Sequence, residues 1–334
     1  MLPPRALVAP DAFKGTFSAA EVAEAVARGL ERAGVAADRC PLADGGEGTQ
    51  AALLTARGGR VVAAPAHDPL GRPLTASFAL LDDDGRTAVV ETAAASGLPL
   101  LDAQERDPWA ASTYGTGELI AAALDAGARE LLIGAGGSAT VDGGAGALAA
   151  LAARRPDGLG DARLVVLCDV RTPWERCAHV FGPQKGADPA LVERLAARLD
   201  AQAAALPRDP RGVPMGGAAG GLAGALWAAH AAELVAGAPF VLDSAGFDAR
   251  LHGAAAVICG EGRLDAQSGE GKLVGEVVRR ARRAGVAAIA LAGEVALDAA
   301  GWRALGLAEA IAATTLAQLE AAGERIGREL LAGG

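Results

Sequence analysis

Apolar residues recur along this chain in two rhythms, and their alternation outlines the fold. "RALVA" (5–9) is a short continuous apolar run ended by Pro10, which predicts a buried strand. Beyond a polar loop, Ser18 and Glu21 form a capping box, and Val22, Val26, Gly29, Leu30 and Ala33 repeat at helical spacing until Gly34. The same strand–loop–helix order returns. "ADGGEGT" (43–49) precedes an alanine-rich helix ending near Gly58-Gly59. "ELLIG" (130–134) runs into "AGGSATVDGGAG" (135–146) and then a helix, and "LVVLCDV" (164–170) is another buried strand. "AAAVICGEGRLDAQSGEGK" (254–272) reads as a strand and a glycine-rich loop before a helix through Arg283. "VAAIALAG" (286–293) is a further strand, and a long helix from Leu316 to Leu331 closes the chain.

One stretch breaks the alternation. Residues 60–92 read as short strands joined by tight turns at Pro69-Leu70-Gly71 and Asp83-Asp84-Gly85. Hairpins inside an α/β chain suggest an inserted domain. At 334 residues the chain also exceeds the roughly 250–300 at which a single core stops growing. The expected organisation is a discontinuous Rossmann/flavodoxin-like domain with a mainly parallel sheet, from residues 1–62 and 239–334. Residues 63–238 then form an inserted mixed α/β domain.

Composition narrows the function. Apolar residues make up 51% of the chain but aromatics only 3%, so the core is packed from small side chains. A net charge of −9 argues against nucleic-acid binding and requires any anionic ligand to be held by local cations, helix N-termini or a metal. No charge-free apolar run reaches membrane-spanning length, and "MLPPRALVAP" lacks the features of a signal peptide. Cys40, Cys168, Cys177 and Cys259 show no C-x-x-C spacing, and Cys168 and Cys259 lie in strand-like runs. A cytoplasmic protein with reduced thiols is expected.

The chemistry gathers in the loops after strands. Loop 134–146 carries six glycines with Ser138 and Thr140, a composition suited to anion binding through backbone amides. It is neither a P-loop nor a dinucleotide fingerprint, and "GEGK" (269–272) lacks the upstream glycine of a P-loop. One such loop can be a plain turn, but five of the same style point to a ligand. Asp11, Asp44, Glu47, Asp142, Asp169, Glu261 and Asp265 occupy similar loop positions, whereas Asp188 before Pro189 reads as a helix cap. Only three of the 31 basic residues are lysines, Lys14, Lys185 and Lys272, and each adjoins a glycine. A chain that otherwise writes its cations as arginine retains lysine where a compact point charge is needed. Carboxylates and lysines in this arrangement suit phosphoryl transfer. His67, His179, His230 and His252 show no metal spacing, and no G-x-S-x-G elbow occurs.

Taken together, the loops resemble the bacterial glycerate kinase family, the type that includes D-glycerate 2-kinases. The matching strings are "APDAFKGTFSAAEVAEA", "PLADGGEGT", "ETAAASGL", "STYGTGELI", "IGAGGSATVDGGAG", "CDV", "VFGPQKGA", "GAAGGL" and "GEGRLDAQS-x-x-GK", in the family's order. The resemblance implies ATP and Mg²⁺, D-glycerate as acceptor with 2-phosphoglycerate as product, and two unlike α/β domains with the active site in the cleft between them. A 3-phosphoglycerate product or a related hydroxy acid stays open, as does homodimer formation. From their loop positions, Lys14, Asp169 and Asp44 are expected to be catalytic, and Gly136, Gly137, Ser138, Thr140, Lys185 and Lys272 to bind nucleotide phosphates. Asp11, Ser96, Arg263 and Asp265 contact substrate, and Glu47 and Asp142 hold the metal. Val141, Arg171, Trp174 and Cys177 depart from the family pattern, with an effect expected at the acceptor site. A dehydrogenase reading lacks its fingerprint in the first turn, "PDAFKGTFS". A non-catalytic small-acid sensor would not be expected to keep every loop lysine and acid.

Overall fold

The computed structural model describes residues 4–83, 86–269 and 272–333. The chain divides into two compact units, Met1–Asp44 with Ala238–Gly334, and Gly45–Gly237. In chain order the strands are β1 (Arg5–Pro10), β2 (Ala36–Arg39), β3 (Gly59–His67), β4 (Pro73–Leu81), β5 (Thr87–Glu91) and β6 (Glu130–Gly134). They continue with β7 (Arg163–Cys168), β8 (Glu233–Ala236), β9 (Ala256–Leu264), β10 (Ala287–Val295) and β11 (Glu309–Ala312).

The first unit is built on one parallel sheet in the order β11-β10-β9-β1-β2. Counted within the unit this is 2-1-3-4-5, the flavodoxin-like arrangement, and the strand order reverses between β1 and β9. β1 is paired on both sides, Val8 opposite both Arg39 and Ile258, which accounts for its continuous apolar run. The helix Ala19–Arg32 starts at the predicted capping box: Ser18 Oγ accepts from Glu21 N at 3.2 Å, and Glu21 Oε2 accepts from Ser18 N at 2.8 Å. Val22, Val26 and Leu30 on this helix join Ile258 and Leu291 from the sheet and Leu319 and Ile326 from the helix Leu316–Ala332 in one core.

The second unit carries a mixed sheet, β3-β4-β5-β6-β7-β8. β3, β4 and β5 are antiparallel neighbours, whereas β5 to β8 run parallel. The turn expected at 69–71 joins β3 to β4, with Gly71 N donating to Asp68 O at 3.0 Å. Of the second expected turn, Asp84 and Gly85 lie outside the described residues, as does Gly271 beside Lys272.

Two features differ from the apolar pattern. β9 continues through Gly260-Glu261-Gly262-Arg263-Leu264, where a glycine-rich loop was expected. Pairing with β10 as far as Val295 supplies ladder partners that make a loop unnecessary. β2, β8 and β11 are four-residue strands that close sheet edges and are only half-buried, so they leave no apolar run to detect. No described helix is long and apolar enough to cross a membrane.

Candidate active site

In the first unit, the carboxyl ends of β1 and β9 open onto a cavity of about 550 Å³. It lies at the strand-order reversal, where open α/β sheets bind ligands. Asp11, Lys14, Asp44, Arg263, Asp265 and Lys272, six of the residues expected from sequence, line it together with Glu261. Asp11 N donates to Gly260 O at 2.9 Å, which ties the end of β1 to β9. The next residues close a tight turn in which Phe13 N donates to Phe17 O at 2.8 Å and Thr16 Oγ1 to Phe13 O at 2.7 Å. Lys14 sits at the tip of this turn, 3.9 Å from Asp44 Oδ2. Its neighbour Gly15 adopts φ +80°, and Gly186 beside Lys185 adopts φ +101°, so two of the lysines are glycine-flanked because their turns require left-handed backbone.

The cavity gathers negative charge under strain. Burial, then the charge of Asp44, holds the Asp11 carboxyl well above the usual range, against the opposing pull of Lys14. Burial also raises Glu261, with help from Asp265 and Asp44 and against Ser268 and Lys272. Glu261 Oε1 is buried without a hydrogen-bond partner. Both groups are protonated more readily in the folded than in the unfolded chain. Their contribution to stability is therefore present at low pH and lost as pH rises through the raised folded values. In thermal denaturation of the ligand-free protein, the stability advantage of Glu261→Gln over wild type should shrink as pH falls from neutral. An unchanged pH profile in the variant would remove Glu261 from this account.

In the second unit, a smaller cavity of about 70 Å³ lies at the ends of β6 and β7. Gly136, Gly137, Ser138, Lys185 and Asp169 line it, all expected site residues. Lys185 is buried, and its Nζ donates to Ser138 Oγ at 2.8 Å and to Thr140 O at 2.7 Å. Burial pushes the Lys185 ammonium down to about 8, although Cys177, Asp142 and Asp169 favour its charged form.

Part of the glycine-rich loop is tied into the fold. Ala135 N donates to Leu167 O at 3.0 Å, Gly136 N to Gly45 O at 3.3 Å and Ala139 N to Ser96 O at 2.8 Å. Those amides are engaged within the fold rather than offered to an anion. Gly137 has φ +74°, with Ala93 Cβ 3.2 Å from where its own Cβ would stand, so a bulky substitution there would strain the backbone whatever the ligand.

Other expected site residues have structural partners. Both oxygens of Asp142 accept hydrogen bonds, from Thr113 N at 2.8 Å, Thr113 Oγ1 at 2.8 Å, Gly144 N at 3.0 Å and Gly146 N at 3.1 Å. Asp142, expected as a metal ligand, closes the loop onto the helix Ala145–Arg154 through these bonds. Glu47, its expected partner, is exposed, and among the described residues no group of three or more His, Cys, Asp or Glu is placed to hold a metal ion. Ser96 is buried and accepts from Thr116 Oγ1 at 2.7 Å, and the Thr140 hydroxyl is buried against Ala219 O at 3.5 Å. Asp188 caps its helix by accepting from Leu191 N at 2.7 Å.

Val141, Trp174 and Cys177 pack together in one buried cluster of the second unit, and Trp174 Nε1 donates to Leu199 O at 3.1 Å. These departures from the family pattern are thus neighbours in a core rather than residues lining either cavity; Arg171 is exposed. Glu261 stood among the loop acids of the sequence but had no role assigned. Its place on an extended β9, rather than in a loop, is what aims it into the first cavity.

Carboxylates and lysines at the strand ends of two α/β sheets are an arrangement suited to enzymes for small anionic ligands, the class that contains the small-molecule kinases. The chain belongs to the glycerate kinase family. The sequence model described as "Glycerate kinase family" matches residues 6–163 and 156–331. A glycerate kinase of Bacillus subtilis is 40% identical over 327 residues, covering 87% of this chain and 85% of the relative. A glycerate 2-kinase of Escherichia coli is 38% identical, covering 87% and 86%. A solved structure provisionally assigned as glycerate kinase 2, from Salmonella typhimurium LT2, superposes with a TM-score of 0.83 at 35% identity, covering 99% of each chain.

Proposed function

We propose that the protein transfers the γ-phosphoryl group of ATP to the 2-hydroxyl of D-glycerate, giving 2-phosphoglycerate and ADP. The observation that carries this reading is the 550 Å³ cavity of the first unit, where a lysine-bearing turn faces buried carboxylates at the strand-order reversal. Its volume suits a nucleotide-sized ligand, and Lys14 and Lys272 supply the cations that an acidic protein must provide locally.

Mg²⁺ fits the donor set there. It prefers hard oxygen ligands and commonly takes one or two carboxylates plus phosphate oxygens. One or two of Asp11, Asp44 and Glu261 would hold the ion together with phosphate oxygens, which asks for no cluster of three, and the orphaned Glu261 Oε1 has an unused acceptor. When bound, the ion would neutralise charge on the nucleotide phosphates. Lys14 stabilises the transferred phosphoryl, and Asp169 accepts the proton of the attacking hydroxyl. The bond from the γ-phosphorus to its bridging oxygen breaks as the bond to the glycerate oxygen forms, and ADP departs. The four buried cysteines suit a reducing cytoplasm, which is where we place the enzyme.

The name of the Escherichia coli relative supports the 2-position. Coupled detection of ADP with D-glycerate, ATP and Mg²⁺ should show turnover, and phosphorus NMR of the product should show 2-phosphoglycerate. A 3-phosphoglycerate signal would overturn the regiochemistry, and absence of turnover would overturn the substrate.

A further inference from the structure

The Ser138–Lys185 pair has donors left over once its internal bonds are made. An ammonium carries three N–H donors; Lys185 uses two, on Ser138 Oγ at 2.8 Å and Thr140 O at 2.7 Å, and its Nζ stands 5.8 Å from the centroid of the Phe181 ring, which also lines the cavity. Ser138 accepts from the lysine, which leaves its own hydroxyl proton to donate. Ser138 and Lys185 both line the 70 Å³ cavity, so a ligand there could take the remaining N–H and the hydroxyl proton. We infer that this pair recognises the carboxylate of the hydroxy-acid acceptor, with Asp169 on the same cavity beside the acceptor's hydroxyl. The inference rests on the kinase reading above and assigns one substrate group within it.

Three observations favour a carboxylate over nucleotide phosphates at this point. The cavity is small beside the roughly 300–1,000 Å³ typical for larger ligands. Three of the loop amides, those of Ala135, Gly136 and Ala139, are engaged with Leu167 O, Gly45 O and Ser96 O. A single buried ammonium with one hydroxyl matches the single charge and two acceptor oxygens of a carboxylate. The packed cluster of Val141, Trp174 and Cys177 backs this wall, with Val141 next in sequence to the Thr140 carbonyl that fixes Lys185. A core change there can thus bear on the acceptor through the lysine without touching it.

Lys185 faces Cys177, Asp142 and Asp169, and its ammonium titrates near 8. A carboxylate binds the protonated form, so affinity should be full below that value and fall by about tenfold per pH unit above it. Acceptors without a carboxylate, such as glycerol, should not be used.

The test is calorimetric titration of the full-length protein with D-glycerate and, separately, with a non-hydrolysable ATP analogue. Lys185→Met should weaken glycerate binding by about 100-fold. Ser138→Ala should weaken it by about tenfold. In both variants the affinity for the analogue should stay unchanged. Loss of analogue affinity, loss of both ligands in a variant with wild-type circular dichroism, or unchanged glycerate binding would each overturn the inference. Should Lys185→Met fail to fold, wild-type glycerate affinity followed from about pH 7 to about pH 10 decides: a flat profile overturns the inference. A wild-type protein that does not turn over glycerate but binds D-lactate in a Lys185-dependent manner would sink the glycerate reading and support the carboxylate pair.

Discussion

Lys14→Met is expected to lower kcat by about 10²–10³, the loss seen when one preorganised charge donor is removed from a transition state. The side chain is 57% exposed and lies 3.9 Å from Asp44 Oδ2, so its ion pair adds little to stability. The melting temperature should therefore stay near wild type while turnover collapses. Lys14→Arg should fail almost as badly, because a planar guanidinium cannot take the place of a compact ammonium at the tip of the Phe13–Phe17 turn. A near-normal kcat for Lys14→Arg would show that any cation serves there, and that the rarity of lysine in this chain carries no chemical message.

The second large effect is expected at Asp169. Its place directly after β7, on the wall of the cavity that holds Ser138 and Lys185, suits a group that takes a proton from a bound hydroxyl. General-base assistance of this kind is worth about 10²–10⁴ in rate. Asp169→Asn keeps the size and one acceptor oxygen, so it should lower kcat within that range with little change in the KM for glycerate. A rise in KM at constant kcat would instead make Asp169 a binding residue and leave the base to be sought at Asp44.

Much of the architecture was legible because buried strands and capped helices write local signals. "RALVA", "ELLIG" and "LVVLCDV" are paired on both sides, and Ser18 with Glu21 forms the reciprocal bonds that its spacing predicts. The edge strands β2, β8 and β11 were not legible, since half-buried edges need no apolar run. Among site residues, sequence brought out those at strand ends but could not separate a ligand group from a loop clasp. Asp142 shows this: four hydrogen bonds from Thr113, Gly144 and Gly146 tie it into its loop, and only tertiary structure supplies them. Glycines are ambiguous in the same way: those of loop 134–146 suggest amides turned to an anion, while Gly97 and Ser138 pair across a bridge and the amides of Ala135, Gly136 and Ala139 face the protein's own carbonyls.

The second unit begins at Gly45 and ends at Gly237, and a Cβ built on Gly45 would stand 3.2 Å from the Cα of Gly237. A segment that leaves and returns at a single point behaves as a cassette. Its removal would ask the remaining chain to bridge only a short gap between Asp44 and Ala238, and would leave the five-stranded parallel sheet with every strand in place. The cassette in turn keeps its own six-stranded sheet and two apolar clusters. Each unit thus holds its own sheet and the residues that line its own cavity.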